Sequence, residues 1–215
     1  MLLCAIIRNI KIGSKGWYYR MEKLQEIEIV QFLKENIEPL EYDLYGTSYR
    51  ASIQLVDGTY LPCVIFRKRK ARVDLAIRRF SEEQNKPIVG YYNVVESFVT
   101  SGNRINSYEI STVDKSKFAF PRSILKQIHG ETRMGWTAFV VKMNDGKCFS
   151  FGTGFSMEFF DMPEGYNVQD IEKIINHSYT LKTGEVVSYG EKATHDNYDV
   201  VYRERPYFEC FIDNL

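Results

Sequence analysis

The chain has 215 residues, of which 44% are hydrophobic and 26% are charged, and its formal net charge at pH 7 is zero. These values are typical of a folded globular protein and exclude a chain that is disordered throughout. No apolar run reaches the roughly 18 residues that a membrane-spanning helix needs, so we expect no membrane-spanning role.

The first 20 residues precede the first well-patterned element. Met21-Glu22-Lys23 opens that element, so we interpret residues 1–20 as a doubtful extension and Met21 as a hypothetical native start. The apolar start also comes before the first charged residue, Arg8, which is the reverse of a signal peptide. We therefore expect a cytoplasmic protein.

Residues 21–117 predict a helix, a hairpin and a pair of strands. The helix is expected over Glu22–Asn36, because apolar residues recur every three or four positions and Pro39 follows. A hairpin with faint turn signals is predicted over Tyr45–Lys68, around Asp57-Gly58. Two further strands are expected at Ile88–Thr100 and Ile105–Ser111, around a Ser-Gly-Asn turn.

Residues 118–215 begin with the same order of elements. A short helix is expected over Pro121–His129, and the clearest hairpin of the chain follows at Gly135–Gly152 around Asn144-Asp145-Gly146. The spacing then predicts a third helix that begins at Asn167 and ends near His177. The final predicted elements are two strand pairs: Tyr179–Leu181 with Val186–Tyr189, and Tyr198–Tyr202 with Tyr207–Ile212.

These elements predict an α+β fold with mainly antiparallel sheets and about three helices. The order of helix and hairpin suggests two related lobes, 21–117 and 118–215, that arose by internal duplication. A single continuous domain over both ranges is the alternative. The hairpins agree in turn chemistry and in the faces of their apolar residues but hardly in identity, so unrelated hairpins would look much the same.

The cysteines give no indication of a metal or a disulfide. Cys4, Cys63, Cys148 and Cys210 lie far apart, without a CxxC pair or a histidine at metal-ligand spacing. We interpret them as reduced, mostly buried apolar residues, and we expect no metal and no cofactor.

Charge is segregated along the chain. A basic segment at 67–79 is the strongest local signal, whereas residues 154–215 hold five basic and twelve acidic residues. The basic segment has the composition of a phosphate-contacting patch, yet it is also typical of a solvated region that balances acidic neighbours. Its candidate nucleic-acid-binding residues are Arg67, Lys68, Arg69, Lys70, Arg72, Arg78 and Arg79.

The acidic region and the aromatic strands favour a protein-binding surface. Asp161-Met162-Pro163-Glu164-Gly165-Tyr166 is expected to be a charged, conformationally fixed turn beside an aromatic strand. The candidate residues for partner binding are Asp161, Glu164, Tyr166 and Trp136. Most aromatic residues, including Phe155, are expected to lie in the core, and only those on the outer side of a strand are available to a partner.

No spacing specifies a catalytic site. Glu131, Asp161 and His177 could serve as acids and bases if the fold brings them together, but a histidine at a helix end is usually structural. The leading hypothesis is therefore a cytoplasmic, non-enzymatic module that binds a protein with a basic surface. The runner-up is a nucleic-acid-binding protein, and the third is a hydrolytic enzyme with a carboxylate and histidine cleft. The sequence indicates no oligomeric state.

Overall fold

The computed structural model describes residues 7–10, 18–42, 46–70, 73–74, 77–78, 81, 103–190 and 197–215. The chain divides into two compact units. Unit 1 comprises residues 1–116 together with 207–215, and unit 2 comprises residues 117–206. The sequence placed the boundary between 117 and 118 and assigned the C-terminal strand to the second lobe, whereas that strand lies in unit 1.

The described part of unit 1 includes a helix and a mixed sheet. Helix α1 spans Glu26–Asn36 and buries Ile29, Val30 and Leu33. The strands are β1 (Ile7–Ile10), β2 (Tyr18–Met21), β3 (Pro39–Tyr42), β4 (Gly46–Leu55), β5 (Tyr60–Lys68), β6 (Arg104–Ile105), β7 (Ile110–Lys115) and β14 (Phe208–Ile212). Strands β1 and β2 pair with each other and lie within residues 1–21, mostly in the segment interpreted above as a doubtful extension. The remaining strands of unit 1 form one sheet in the order β3-β4-β5-β14-β6, and β7 also pairs with β4.

Unit 2 places a four-stranded sheet between an aromatic core and a hairpin. Its elements are helix α2 (Arg122–Leu125) and strands β8 (Thr137–Met143), β9 (Cys148–Thr153), β10 (Ile171–Asn176), β11 (Ser178–Thr180), β12 (Val186–Ser188) and β13 (Val201–Arg203). The sheet order is β10-β8-β9-β13. Phe139 and Phe151 lie with Phe120 and Phe160 in the core. A second, two-stranded sheet is formed by β11 and β12.

The hairpin of each unit closes with the same turn. The Asp57 carboxylate accepts a hydrogen bond from the Thr59 N–H, and Asp145 accepts one from the Lys147 N–H, both at 2.9 Å. The glycine after each aspartate has a positive φ, +91° at Gly58 and +88° at Gly146, which glycine adopts without the Cβ penalty. The hairpins predicted from both Asp-Gly turns are confirmed.

The similarity of the two units extends beyond the hairpins. In each, a 3-10 helix leads into a strand that pairs antiparallel with the first hairpin strand, so that β7 lies on β4 and β10 lies on β8. The registers correspond, because Leu55 pairs with Ile110 as Met143 pairs with Ile171. A parallel strand completes each hairpin on its other side, β14 on β5 and β13 on β9. Both units are therefore built on one plan, and unit 2 lies within the connection between β7 and β14 of unit 1.

Three element predictions need correction. The third helix is wrong: only Val168–Asp170 is helical, as one 3-10 turn, and the next residues form β10. Their three isoleucines suit a strand, and pairing with β8 outweighs the helical spacing. The last strand pair is also wrong, because β13 and β14 pair in parallel with different sheets. The α+β fold is confirmed, but the sheets are mixed, so the prediction of mainly antiparallel sheets holds only in part.

The two remaining helices are shorter than predicted. Helix α1 begins at Glu26 instead of Glu22, and its Ile27, expected in the apolar stripe, is exposed while Ile29 is buried. Helix α2 ends at Leu125 rather than near His129, although Ile124 and Ile128 are buried as expected. The Tyr179 hairpin is confirmed, and the predicted strand Ile88–Thr100 lies outside the described residues. No helix among the described residues is long and apolar enough to cross a membrane.

Candidate protein-binding surface

Trp136 lies at the open end of the β8–β9 hairpin, just before β8. Its indole covers Gly152, where an added Cβ would stand 2.2 Å from the nearest ring carbon. The indole N–H donates a hydrogen bond to the Tyr179 hydroxyl at 2.8 Å, and the Arg203 guanidinium carbon lies 4.6 Å from the ring centroid. Gly152 is thus the residue that lets the indole pack against the sheet.

Three tyrosines extend this aromatic cluster. Tyr179 is buried, and its ring stacks on Tyr198 at a centroid distance of 4.5 Å and lies 5.8 Å from Tyr189. Burial raises the pKa of Tyr179, against the opposing effects of the Trp136 hydrogen bond and the charge of Arg133. Tyr179 therefore stays protonated at neutral pH. The hydrogen bond that it accepts from Trp136 connects β11 to the open end of the β8–β9 hairpin.

Arg203 is held in place by Glu204. The Nε of Arg203 donates to one oxygen of Glu204 at 2.9 Å, and Nη2 donates to the other at 3.2 Å. Glu204 also accepts a hydrogen bond from the Gly154 N–H at 3.2 Å. Partial burial raises the pKa of Glu204, but the hydrogen bonds from Arg203 and Gly154 together hold this pKa below its ordinary value. The carboxylate is therefore charged at neutral pH.

Two large apolar side chains stand exposed beside this cluster. Met134 is 97% exposed and Phe155 is 84% exposed, more than any other large hydrophobic side chain in the described ranges. Their loops are adjacent, because a Cβ at Gly154 would lie 3.3 Å from the carbonyl oxygen of Gly135. We call Met134, Phe155, Trp136, Arg133 and Arg203 the Met134–Phe155 surface.

Hydrogen bonds within each loop order the backbone that carries these exposed side chains. The Thr153 hydroxyl donates to the Ser156 carbonyl at 2.7 Å and accepts from the N–H groups of Phe155 and Ser156. On the other loop, the Thr132 N–H donates to the Trp136 carbonyl at 2.8 Å, and the Trp136 N–H donates to Arg133. The backbone of both loops is therefore ordered at the positions that carry Met134 and Phe155.

The predicted acidic turn lies at the other end of the hairpin, except for Asp161. Tyr166 donates a hydrogen bond to Asp145 at 2.7 Å, which lowers the pKa of Asp145. Asp145 belongs to the closed end, and the seven residues of β8 separate it from Trp136 by roughly 20 Å. The structure confirms a turn, since Tyr166 N–H donates to Pro163, but it does not bring Tyr166 to Trp136.

The acidic side chains of this turn differ in their contacts. Asp161 forms an ion pair with Arg205, and its N–H donates to the carbonyl oxygen of Arg203. Glu164 is exposed. Of the four predicted binding residues, Trp136 and Asp161 therefore lie near Arg203, whereas Tyr166 lies beside Asp145.

Three residues of the basic segment form ion pairs. Arg67 forms a buried ion pair with Glu209 at 2.9 Å, Arg69 pairs with Asp213 and Lys70 pairs with Asp74. Lys68 and Arg78 are exposed, and Arg72 and Arg79 lie outside the described residues. Two of the partner carboxylates belong to the C-terminal segment, which agrees with a role in internal charge balance.

Of the candidate acids and bases, His177 lies against the loop that carries Glu131, whereas Asp161 has a different contact. Glu131 accepts a hydrogen bond from the Gly135 N–H, and His177 lies with its Nδ1 at 3.3 Å from the Thr132 hydroxyl. Asp161 instead binds Arg205, as described above. His177 has a φ of +54° at the bend between β10 and β11. Among the described residues, no three metal-ligating side chains form a group that could hold an ion.

Sequence reasoning missed Met134, Arg133 and Arg203, and it expected Phe155 in the core. Gly135 and Gly154 were the available signals, because a glycine before the first hairpin strand and another after the second allow the two loops at the open end to approach closely. Comparison with known proteins adds no information: the chain matches no family model, no curated protein and no solved structure.

Proposed function

We propose that the protein is a non-enzymatic protein-binding module and that its partner contacts the Met134–Phe155 surface. The observation that carries the proposal is the exposure of Met134 and Phe155 on adjacent loops. Single exposed apolar side chains are common, whereas neighbouring ones beside a partly exposed aromatic side chain are typical of interaction sites. Trp, Met, Phe and Arg are also enriched at protein interfaces.

The conformational order of the backbone in the two loops supports this proposal. Binding costs less conformational entropy when the contact residues already hold their bound positions. The hydrogen bonds of Thr153 and Thr132 supply that order on the two loops. A partner can therefore bury both apolar side chains without first folding the loops.

The test compares purified variants with an identified partner. We expect Met134→Ser with Phe155→Ser to weaken binding at least tenfold in titration calorimetry, because burial of both side chains is lost. Ile27→Ser is the matched control, since Ile27 is an exposed apolar residue of unit 1, and it should change the affinity less than twofold. Equal affinities of the double variant and the wild type would refute this placement.

A further variant tests the acidic turn. The double variant Asp161→Asn with Glu164→Gln should leave the affinity for the partner nearly unchanged, because Asp161 already forms an ion pair with Arg205. If this variant loses binding while the Met134 and Phe155 variant retains it, the partner surface lies at the turn.

Nucleic-acid binding through the basic segment is the alternative function. It is less well supported, because Arg67, Arg69 and Lys70 each have an acidic partner. It predicts binding of a mixed nucleic-acid pool that weakens steeply as salt rises and is lost in Lys68→Gln with Arg78→Gln. Absence of binding at low salt would exclude this function.

A further inference from the structure

The charges around the exposed apolar side chains are not equivalent. Glu131 and Glu204 each accept a hydrogen bond from a backbone N–H of the two loops, at Gly135 and Gly154. These carboxylates therefore help to shape the loops. Arg133 is exposed, and no hydrogen bond or ion pair of its side chain is present among the described residues.

Arg203 retains capacity for a further acceptor. Its bonds to Glu204 use Nε and Nη2, and a guanidinium carries five N–H donors. The side chain is 57% exposed. Because Trp136 and Glu204 hold the guanidinium, a carboxylate could bind it without immobilising a free side chain.

Both arginines act on the same small region. The backbone of Arg133 pairs with that of Trp136, and the guanidinium carbon of Arg203 lies 4.6 Å from the centroid of the Trp136 ring. Two exposed guanidinium groups thus flank the aromatic cluster, next to Met134 and Phe155. The surface combines cationic donors with apolar area, and within the described part of the chain no carboxylate pairs with Arg133.

We infer that the partner segment carries an Asp or Glu side chain next to a large apolar residue, the carboxylate facing Arg133 and Arg203 and the apolar residue facing Met134 and Phe155. This inference rests on the proposed function and names the partner's chemistry. The acidic composition of residues 154–215 predicts a basic partner surface, whereas this inference predicts an acidic partner segment. Charge complementarity of this kind determines specificity and association rate.

Peptide selection on the 215-residue chain tests the inference. A displayed library of random twelve-residue peptides should yield sequences enriched in Asp or Glu beside Leu, Ile, Met or Phe. Arg133→Glu should remove the acidic preference and favour Lys or Arg. The matched charge reversal Lys126→Glu, at an exposed residue directly after α2, should leave the preference unchanged. Replacing the acidic residue of a selected peptide by its amide should weaken binding at least fivefold in fluorescence polarisation.

The outcomes separate the two proposals. Peptides that require Met134 and Phe155 but show no acidic enrichment would overturn the inference and leave the proposed function in place. Recovery that is unaffected by Met134→Ser with Phe155→Ser would overturn both. Acidic enrichment that persists in Arg133→Glu and in Arg203→Gln would overturn the assignment of the carboxylate to these arginines.

Discussion

Gly152 is the residue on which the position of Trp136 depends. Its backbone does not need a positive φ, so the reason for glycine here is space: the indole occupies the position of a Cβ. We predict that Gly152→Ala displaces the indole, breaks its bond to Tyr179 and lowers the free energy of unfolding by about 2 kcal/mol. Urea unfolding and a red shift of Trp136 emission, in a Trp17→Phe background, measure these effects.

Gly146→Ala is the control for this prediction. A Cβ at Gly146 would meet no atom within 4 Å, but its φ of +88° disfavours alanine. This variant should lower stability by about 1 kcal/mol through backbone strain without shifting the emission. An unshifted emission in Gly152→Ala would contradict the described packing of the indole.

Two carboxylates at opposite ends of the same hairpin have lowered pKa values for different reasons. Glu204 is stabilised in its charged form by Arg203 and Gly154 despite partial burial, and Asp145 by Tyr166 and the Lys147 N–H. A carboxyl with a lowered folded-state pKa contributes stability above its unfolded pKa, and this contribution is lost as the pH falls through the folded pKa. The stabilising contribution of both carboxylates is therefore lost only under acidic conditions.

Arg203→Gln should raise the pKa of Glu204 and leave that of Asp145 unchanged. Tyr166→Phe should do the reverse, so each variant is the control for the other. Carboxyl-carbon chemical shifts followed through an acid titration measure both groups in one experiment. A shift of both pKa values in either variant would show that the two ends of the hairpin are coupled.

At the scale of elements, β14 depends on a buried ion pair. Arg67 and Glu209 are almost fully buried, whereas the neighbouring pair Arg69–Asp213 is half-exposed. We predict that Glu209→Gln lowers the free energy of unfolding by about 3 kcal/mol, because it leaves the Arg67 charge buried without its carboxylate. Asp213→Asn should cost less than about 1 kcal/mol in the same urea experiment.

Thiol labelling supplies a second measurement on the same strand. Burial raises the pKa of Cys210 to about 12, so a labelling reagent reaches a reactive thiolate only when β14 opens. Glu209→Gln should therefore speed the labelling of Cys210 more than Asp213→Asn does. Equal labelling rates in the two variants would contradict the role assigned to the buried pair.

The sequence predicted the elements whose signals are local. Asp57-Gly58 and Asp145-Gly146 specify tight turns by their own chemistry, and both hairpins are present. The third helix failed because the Asn167 to Asp170 contact starts a helix but does not extend it, and pairing of β10 with β8 is a long-range effect. The partners of β13 and β14 were unpredictable for the same reason, since parallel pairing leaves no turn signal between neighbours.

The candidate surface was predictable only in part. Trp136 was identified from its residue type, but the exposure of Met134 and Phe155 depends on how two loops fold over Thr132 and Thr153. The ion pairs of Asp161 and Arg67 join residues far apart in the chain. Charge segregation along a sequence does not reveal which of its charges are matched in space.

At the scale of the whole molecule, the sequence of unit 2 is inserted into the sequence of unit 1. Residues 207–215 belong to unit 1 although they follow unit 2 in the chain. We predict that deletion of 207–215 increases amide hydrogen exchange in β5 and β6, which lose the pairing of β14, while β8 and β9 keep their protection. Uniform loss of protection in both units would contradict this division.

The nested order also affects how the protein is made. A ribosome produces most of unit 1 first, then all of unit 2, and only afterwards the strand that fills the place between β5 and β6. Domains usually fold in the order of their synthesis. Here the unit that is translated first is completed last, so the nascent chain exposes an unfilled sheet edge throughout the translation of unit 2, and a chaperone that covers that edge would protect it from aggregation.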